Sequence, residues 1–477
     1  MWNLKKLKGI SLPPSGWSLA ALLSLYLFVG LVGHDPWKPD DSVAIGVAFD
    51  MFENGRWIVP RLAGQPYPDA PLYYWIAAGF GAVFSWLLPA HEAIRLASGL
   101  CAVFALEFIL LAARESYGKE FSAVAPLTLA GSIGFLYHAH EAQPMLAALM
   151  AHAAAYWAIA LMPRRPALST VVLGFSLATV FLADGLLPLA ALAPLFVFSL
   201  VFSENRLGDL SRFTAALCFA SALCALWLIP LKMEEPRFFE QFMRSEFSAM
   251  TLGSDRFAAN GARYLKMLLW YAWPALPLAA WAIWIKRRLL LTKAFALPLF
   301  SFVATLVVLS FCAARHSSFA LLFLPPLVLL AVPGLAGMRR GAANAFDWFS
   351  VVMFTFLALV VWIIWNALVF GWPARLARQA VRLEPGFVGH FNLLACVFAA
   401  LVTLAWLYLI ATTPRQPMRC IMHWMAGLTL FWALLAVLWM PWIDYGKSYR
   451  SVADALARAL PEKSRCIANA NLPGFFL

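Results

Sequence analysis

Charged residues are scarce in this sequence. Only 13% of its 477 residues are Asp, Glu, Lys or Arg, while 63% are hydrophobic and 21 are tryptophan. Runs of about 20 apolar residues recur along the chain, and a helix of that length crosses roughly 30 Å of hydrocarbon. The composition therefore excludes a soluble globular protein and predicts an all-α polytopic membrane protein.

Cysteine is also sparse, and its spacing gives no sign of pairing. Six of the seven cysteines fall in or at the edge of apolar runs, and only Cys466 lies in the polar tail. We therefore propose no disulfide framework. The first apolar run lacks a small-residue cleavage site, so we expect a retained first span rather than a cleaved signal peptide.

Acidic residues are outnumbered, with 24 Asp and Glu against 36 Lys and Arg and a formal net charge of +12. Such a balance can indicate a nucleic-acid partner. Most of these basic residues, however, fall in short loops between apolar runs, as they do on the cytoplasmic side of membrane proteins. We therefore exclude nucleic acid and expect a lipid bilayer around the chain.

Loop charge decides how many apolar segments cross the membrane. If 71–90 does not cross, every basic loop falls on the cytoplasmic side, together with the basic "KKLK" near the N-terminus. Segment 71–90 is then an aromatic-rich juxtamembrane or re-entrant helix on the outer face. The 13 predicted spans are 17–33, 93–113, 121–138, 142–161, 167–183, 186–203, 211–230, 263–284, 293–312, 316–333, 346–370, 388–411 and 420–440.

This topology predicts a multi-pass membrane protein with its N-terminus on the cytoplasmic side and its C-terminus on the outer side. Its membrane domain covers 1–443 and has two long outer loops, 34–92 and 231–262. We expect residues 444–477 to form a C-terminal element on the outer side. We expect that element to be short or truncated, with a helix at 448–460 followed by a strand near 464–469.

The first outer loop carries two adjacent carboxylates, Asp40 and Asp41, ahead of a helical pattern. Val43, Val47 and Met51 recur at fourfold spacing, which predicts a short interfacial helix. A carboxylate at the N-terminus of such a helix caps its free amide groups and complements its dipole. Spacing alone leaves open whether the aspartates serve as a cap or in chemistry.

The stretch "PDDSVAIGVAFDMFENGRWIVPRLAGQPYPDAPLYYW" matches an ordered set of motifs over about 35 residues. It resembles the first periplasmic loop of GT-C fold, polyprenyl-phosphate-dependent glycosyltransferases, the lipid A aminoarabinose transferase and protein O-mannosyltransferase-like family. The matching elements are Asp40–Asp41, "GRWIVPRL" at 55–62 and "YPDAP" at 67–71. The resemblance implies 13 spans in the bacterial inner membrane, with the outer loops and the C-terminal element in the periplasm. It also implies an enzyme that moves a monosaccharide from an undecaprenyl phosphate carrier to lipid A, another envelope glycan or protein.

Transfer from a phosphate leaving group needs a base for the acceptor hydroxyl and cations for the growing phosphate charge, but no general acid. The resemblance places the base at Asp40, beside Asp41, with Glu141 taking over a second acidic position. Candidate cations for the donor phosphate are Arg315 first, then Arg61, Arg56 and Arg256. The remaining substrate-pocket candidates are Tyr67, Asp69, His138, His140, Gln143, Asp184 and His316.

Three family cations are replaced here, by Val43, Ala70 and Asp184. The donor is then bound differently, carries a different charge pattern, or is not turned over. His138, His140 and Glu141 resemble a metal half-site, but one short run without a second cluster is weak evidence for a divalent metal. A metal is therefore the less favoured interpretation, below hydrogen-bonded interfacial histidines, and no cofactor is assigned.

Two other functions compete with transfer. A transporter or flippase for lipid-linked sugars is disfavoured, because the sequence has no internal repeat and its charged residues gather at one rim. An inactive membrane scaffold of the same fold is the second alternative, and the replaced cations favour it.

Overall fold

A computed structural model describes residues 16–460 except 252, 313–315, 415 and 417. The described part is mostly helical, which confirms the predicted all-α polytopic architecture. Helices α1 to α10 are Gly16–Phe28, Asp40–Asn54, Leu72–Phe84, Ala90–Tyr117, Val124–Ala130, Ile133–Ala139, Met145–Leu161, Pro166–Asp184, Leu186–Val201 and Arg206–Glu234. Helices α11 to α21 are Pro236–Ala249, Ser254–Tyr271, Ala275–Ile285, Lys293–Phe311, Leu324–Ala336, Arg340–Phe370, Ala374–Leu383, Leu393–Thr412, Arg419–Leu434, Met440–Lys447 and Arg450–Ala459.

Eight helical segments of the described chain are long and apolar enough to cross a membrane. They are Ala90–Tyr117, Pro166–Asp184, Arg206–Glu234, Lys293–Phe311, Ser317–Ala336, Arg340–Phe370, Leu393–Thr412 and Arg419–Lys447. The other five predicted spans fall on shorter helices or, at α12 and α13, on a pair bent by 99°. The count of 13 and the sidedness stay predictions.

Helix α3 occupies the apolar segment that loop charge left outside the span count. It has 13 residues and so extends about 20 Å, which is shorter than the hydrocarbon thickness. Its buried face packs with α2 and α4 in one cluster that includes Val47, Tyr73, Ala77 and Ile94. This cluster fixes α2, and with it the two aspartates, against the helix bundle.

A short hairpin follows α2 and continues the first outer loop. Strands β1 (Arg61–Leu62) and β2 (Gln65–Pro66) pair antiparallel, with Arg61 opposite Pro66. The turn between them needs a positive φ at two positions, 49° at Ala63 and 78° at Gly64. Glycine adopts that conformation without the steric cost that a side chain brings.

The C-terminal element turns back onto the first loop. The expected helix at 448–460 is observed as α21, while the expected strand near 464–469 lies outside the described residues. Trp37 and Ser448 form an isolated antiparallel bridge, and the Lys38 amide donates to the Lys447 carbonyl oxygen at 3.1 Å. The end of α20 is therefore held beside the start of α2.

Candidate active site

Helix α2 begins at Asp40, so the two adjacent aspartates occupy its first turn. Neither side chain caps the helix by a hydrogen bond to a free amide of that turn, although both complement the helix dipole. Their surroundings are opposite, because Asp40 is exposed while Asp41 is only 1% exposed. Although they are neighbours in the sequence, Asp40 thus lies at the surface and Asp41 lies in the interior.

The Asp41 carboxylate has hydrogen-bond partners on both oxygens. Arg95, in α4, donates from Nη2 to Asp41 Oδ2 at 2.9 Å and from Nε to Oδ1 at 3.3 Å. The Trp37 amide donates to Oδ2 at 2.9 Å, and the Ala142 amide donates to Oδ1 at 2.6 Å. Asp41 therefore joins the first loop, α4 and the turn before α7.

The Arg95 guanidinium completes this joint. It is fully buried and also donates to the carbonyl oxygens of Leu31, His34 and Asp35, each at 3.3 Å. A guanidinium has donors enough for these acceptors and for the carboxylate together. The chain between α1 and α2 is thus wrapped around one buried cation.

Glu141 lies in the turn before α7 and is 6% exposed. Its carboxyl has a pKa raised to about 8, first by burial and then by the nearby carboxylates of Asp41 and Asp40, against the lowering effect of Lys447. Glu141 is consequently protonated at neutral pH. A protonated carboxyl donates a hydrogen bond without adding negative charge.

Lys447 ends α20 and faces the same site. Its ammonium lies 4.6 Å from the centroid of the Trp37 ring and 5.9 Å from that of Tyr137. The Trp37 indole in turn donates from Nε1 to Asp444 Oδ1 at 3.2 Å. Aromatic faces attract a cation at these separations and hold Lys447 beside Glu141.

The two predicted histidines of the turn are buried and differ in their contacts. His140 places Nε2 2.8 Å from the Tyr26 carbonyl oxygen and Nδ1 3.1 Å from that of Leu136. His138 Nδ1 lies 3.4 Å from Gln143 Nε2, and its Nε2 has no hydrogen-bond partner within the described chain. His140 therefore ties the helices together, whereas His138 keeps one nitrogen for a further contact.

A second group of predicted residues surrounds Asp69. The Tyr74 hydroxyl donates to Asp69 Oδ2 at 2.6 Å, and the Ala70 amide donates to Oδ1 at 2.9 Å. The pKa of Tyr67 is raised to about 12, mainly by burial and also by the carboxylates of Asp69, Asp40 and Asp184. Tyr67 thus lies within electrostatic reach of both groups and connects them.

The acidic character of this second group comes from several elements. Glu246, in α11, accepts a hydrogen bond from the Leu186 amide at 2.5 Å and lies beside Asp184. Burial raises the pKa of Glu246 to about 7 and also raises that of Asp69. His316 is exposed and lies near Asp69, whose pKa it lowers.

The arginines predicted to bind the donor phosphate differ in their contacts and exposure. Arg61 donates from Nη2 to Glu235 Oε1 at 2.9 Å and from Nη1 to the Gly64 carbonyl oxygen at 3.2 Å. Arg56 is exposed. Arg315 and the side chain of Arg256 lie outside the described part of the chain.

Two charged residues of this site are absent from the sequence-based candidates. Arg95 is a cation inside a predicted span, and an ionisable residue in such a place is a sign of function or of a buried partner. No local sequence pattern marks Lys447 as a site residue, because it is far from Glu141 in the sequence and lies near it only in the folded chain. Within the described residues, no group of three His, Cys, Asp or Glu side chains is arranged to hold a metal ion.

Comparisons with known proteins point in one direction. The chain is 24% identical over 464 residues to undecaprenyl phosphate-α-4-amino-4-deoxy-L-arabinose arabinosyl transferase 2 of Pseudomonas fluorescens, covering 90% of this chain and 75% of the relative. It is 25% identical over 441 residues to the transferase of that name from Pseudomonas savastanoi pv. phaseolicola, covering 88% and 76%. No family model matches the chain.

The fold is similar to that of ArnT from Cupriavidus metallidurans, solved bound to undecaprenyl phosphate. The TM-score is 0.70 at 16% identity, and the match covers 94% of this chain and 82% of that one. The helical architecture and these similarities define a multi-pass inner-membrane glycosyltransferase of the GT-C class. Within that class, the chain is similar to the ArnT-like family in sequence and in fold.

Proposed function

We propose that this glycosyltransferase moves a monosaccharide from undecaprenyl phosphate to lipid A at the periplasmic face of the inner membrane. One observation carries the proposal: the exposed Asp40 shares its surroundings with Glu141 and Lys447, in the loop that resembles the family. The names of the relatives, which specify an undecaprenyl phosphate-linked aminoarabinose, support the choice of donor.

Asp40 is the base in this proposal. The acceptor hydroxyl attacks the anomeric carbon of the donor sugar, and its proton passes to the Asp40 carboxylate. The bond between that carbon and the phosphate oxygen breaks, and its electron pair leaves with undecaprenyl phosphate. A carboxylate suffices because the phosphate leaves without being protonated.

Lys447 and Glu141 act on the leaving phosphate. The ammonium of Lys447 stabilises the charge that grows on the phosphate oxygens, which is the role of cations in such sites. Protonated Glu141 donates a hydrogen bond without repelling the anion. Lys447 thereby compensates for cations replaced at Val43 and Ala70. Arg315 is the first further candidate, followed by Arg61 and then by Arg56 and Arg256.

The group around Asp69 recognises the sugar. A cationic amino group on the sugar is attracted by the carboxylates of Asp69 and Asp184, while Tyr67 and His316 offer hydrogen bonds to its hydroxyls. Asp184, where the family has a cation, favours an amino sugar over a negatively charged one. His138 and Gln143 complete the pocket, and His140 holds its wall.

The sidedness of the chain belongs to the same proposal. A cytoplasmic N-terminus and a periplasmic C-terminus place both groups on the periplasmic face, where lipid A is available. Loop charge supports this orientation. Cysteine accessibility at the exposed Arg56 and Arg339, probed from each side of intact cells after single replacement, measures it directly.

The test uses purified full-length protein with undecaprenyl phosphate-linked aminoarabinose and lipid A. Asp40→Asn should lower kcat by at least about 100-fold, within the range attributed to a general base. Glu53→Gln, an exposed carboxylate at the other end of α2, is the control and should keep full activity. Full activity of Asp40→Asn would contradict the assigned base, and transfer only to another glycan or to protein would contradict the acceptor.

A further inference from the structure

A separate cavity of about 690 Å³ lies at the far end of α4 from the candidate active site. Arg95, near the start of this helix, belongs to that site, and Arg114, near its end, lines the cavity. Their separation of 19 positions corresponds to about 28 Å along the helix axis, close to the hydrocarbon thickness. The cavity therefore lies near the opposite membrane surface.

Basic side chains from several elements converge on this cavity. Arg114 and Lys119 come from the end of α4 and the following turn, Arg164 from the turn between α7 and α8, and Lys286 from the end of α13. The only carboxylate among the described lining residues is Glu115, which forms an ion pair with Arg164. The cavity thus carries an excess of positive charge.

The inner wall of the cavity is apolar. Phe121, Phe295 and Val332 line it and are buried. The Tyr117 hydroxyl donates to the Ala294 carbonyl oxygen at 3.0 Å, which joins the end of α4 to the start of α14 beside the cavity. A cationic rim above an apolar wall suits a molecule with an anionic head and a hydrocarbon chain.

General enrichment of basic residues in cytoplasmic loops does not account for this arrangement. Arg339 and Arg340 belong to another basic loop of the same predicted side, yet both are exposed and lie outside the cavity. The cavity instead gathers its cations from three separate turns around one apolar wall. Basic pockets between membrane helices bind lipid head groups in this way.

We propose that this cavity binds the phosphate head group of an anionic membrane phospholipid, such as phosphatidylglycerol. The phosphate contacts Arg114, Lys119 and Lys286, and the first carbons of an acyl chain lie against Phe121 and Phe295. The site is independent of the proposed transfer reaction, because it is separated from Arg95 by the length of α4.

The experiment measures phosphatidylglycerol binding to the full-length protein by native mass spectrometry, after reconstitution in phosphatidylcholine nanodiscs with or without one quarter phosphatidylglycerol. The double variant Arg114→Gln/Lys119→Gln removes two exposed cations of the rim. Each basic residue near an anionic lipid surface accounts for about fivefold in affinity, so the pair should cost about 25-fold. Arg339→Gln/Arg340→Gln removes equal charge from the same predicted side and should bind like the unmodified protein.

Each result decides the proposal. An equal loss in both double variants would mean general surface attraction and would overturn the site, as would no loss in either. Inorganic phosphate that displaces phosphatidylglycerol completely at millimolar concentration would assign the cavity to a free anion instead. Displacement by undecaprenyl phosphate, with the same dependence on Arg114 and Lys119, would assign it to the carrier lipid and overturn a phospholipid as the occupant.

Discussion

Asp41 and Arg95 form an ion pair whose side chains are 1% and 0% exposed, with 2.9 Å between carboxylate oxygen and guanidinium nitrogen. The pair links the start of α2 to α4 across 54 residues of sequence. Because Asp41 also accepts the amides of Trp37 and Ala142, its oxygens are occupied within the protein. Asp41 is thus a positioning residue in our proposal, and it leaves Asp40 as the carboxylate that faces the substrate.

Removing the charge of only one partner of this ion pair should lower the stability of the protein strongly. Asp41→Asn leaves the Arg95 charge buried and unpaired, and such a loss destabilises proteins by about 3–5 kcal/mol. We expect a marked fall in the thermal unfolding midpoint of the purified protein in detergent. The double variant Asp41→Asn/Arg95→Gln should lose less than the sum of the single variants, because no unpaired charge remains.

The control for this pair is Arg244→Gln. It breaks the exposed Arg244–Glu240 pair, whose atoms are 3.9 Å apart, and exposed pairs contribute about 0–1 kcal/mol. An Asp41→Asn variant that unfolds like the unmodified protein but loses kcat selectively would show that Asp41 takes part in the chemistry directly.

Glu141 should make stability depend on pH. Its pKa is 4.5 in a solvated chain and about 8 in the fold, so between these values only the folded state holds the proton. The free energy of unfolding therefore falls as pH rises from about 4.5 to 8, by up to about 1.4 kcal/mol per unit. Glu141→Gln should remove this dependence and unfold at a higher temperature than the unmodified protein at pH 8.5.

The activity of Glu141→Gln separates its roles. If protonated Glu141 donates to the phosphate, the glutamine amide replaces that hydrogen bond, and KM for the donor should no longer increase above pH 8. A variant whose KM rises with pH as steeply as that of the unmodified protein would contradict this role, even if its stability behaves as expected.

The start of α2 shows which features of the candidate site can be predicted from sequence patterns and which cannot. Fourfold spacing correctly predicts a helix after Asp40 and Asp41, because periodicity is a local property. It does not separate the two aspartates, since Asp41 is held in the interior by Arg95 of a distant helix. The motif that resembles a family therefore predicted where the candidate site lies. Only the fold distinguishes the role of Asp40 from that of Asp41.

Contacts between residues far apart in the sequence also explain other features that the sequence patterns did not predict. Lys447 lies about 300 residues from Glu141 in sequence and meets it only because α20 ends against the first loop. Apolar length predicted a span at 263–284 but not the bend of 99° that separates α12 from α13 there. Pro274, at that bend, is a local signal for the break, because proline interrupts helical hydrogen bonding.

Lys447→Gln should raise KM for the donor about tenfold and change kcat less. A hydrogen bond to a charged group contributes about 1.5–3 kcal/mol, and partial exposure of Lys447 favours the lower end of that range. Lys447→Arg should recover part of the loss, because it restores the charge. Initial rates at varied donor concentration measure both constants.

Lys38→Gln is the matched control for Lys447. Lys38 is exposed and lies 4.9 Å from the centroid of the Tyr449 ring, in the same part of the fold. We expect KM to stay unchanged in this variant. If both lysine variants raise KM equally, the effect of Lys447 is general attraction of an anionic donor rather than contact with its phosphate.

Among the candidate phosphate-binding arginines that the structure describes, Arg61 ranks first, and its ion pair with Glu235 allows its role to be tested. Arg61 is 16% exposed and Glu235 is 45% exposed, so the pair should contribute less than about 1 kcal/mol. If Arg61 only anchors the hairpin to the end of α10, then Arg61→Gln and Glu235→Gln should lower stability equally and leave KM for the donor unchanged. We expect this outcome, because Arg61 already donates to both Glu235 and Gly64. A rise in KM for Arg61→Gln alone would instead mean that Arg61 exchanges Glu235 for the donor phosphate, and Glu235→Gln, which frees the guanidinium, should then lower KM.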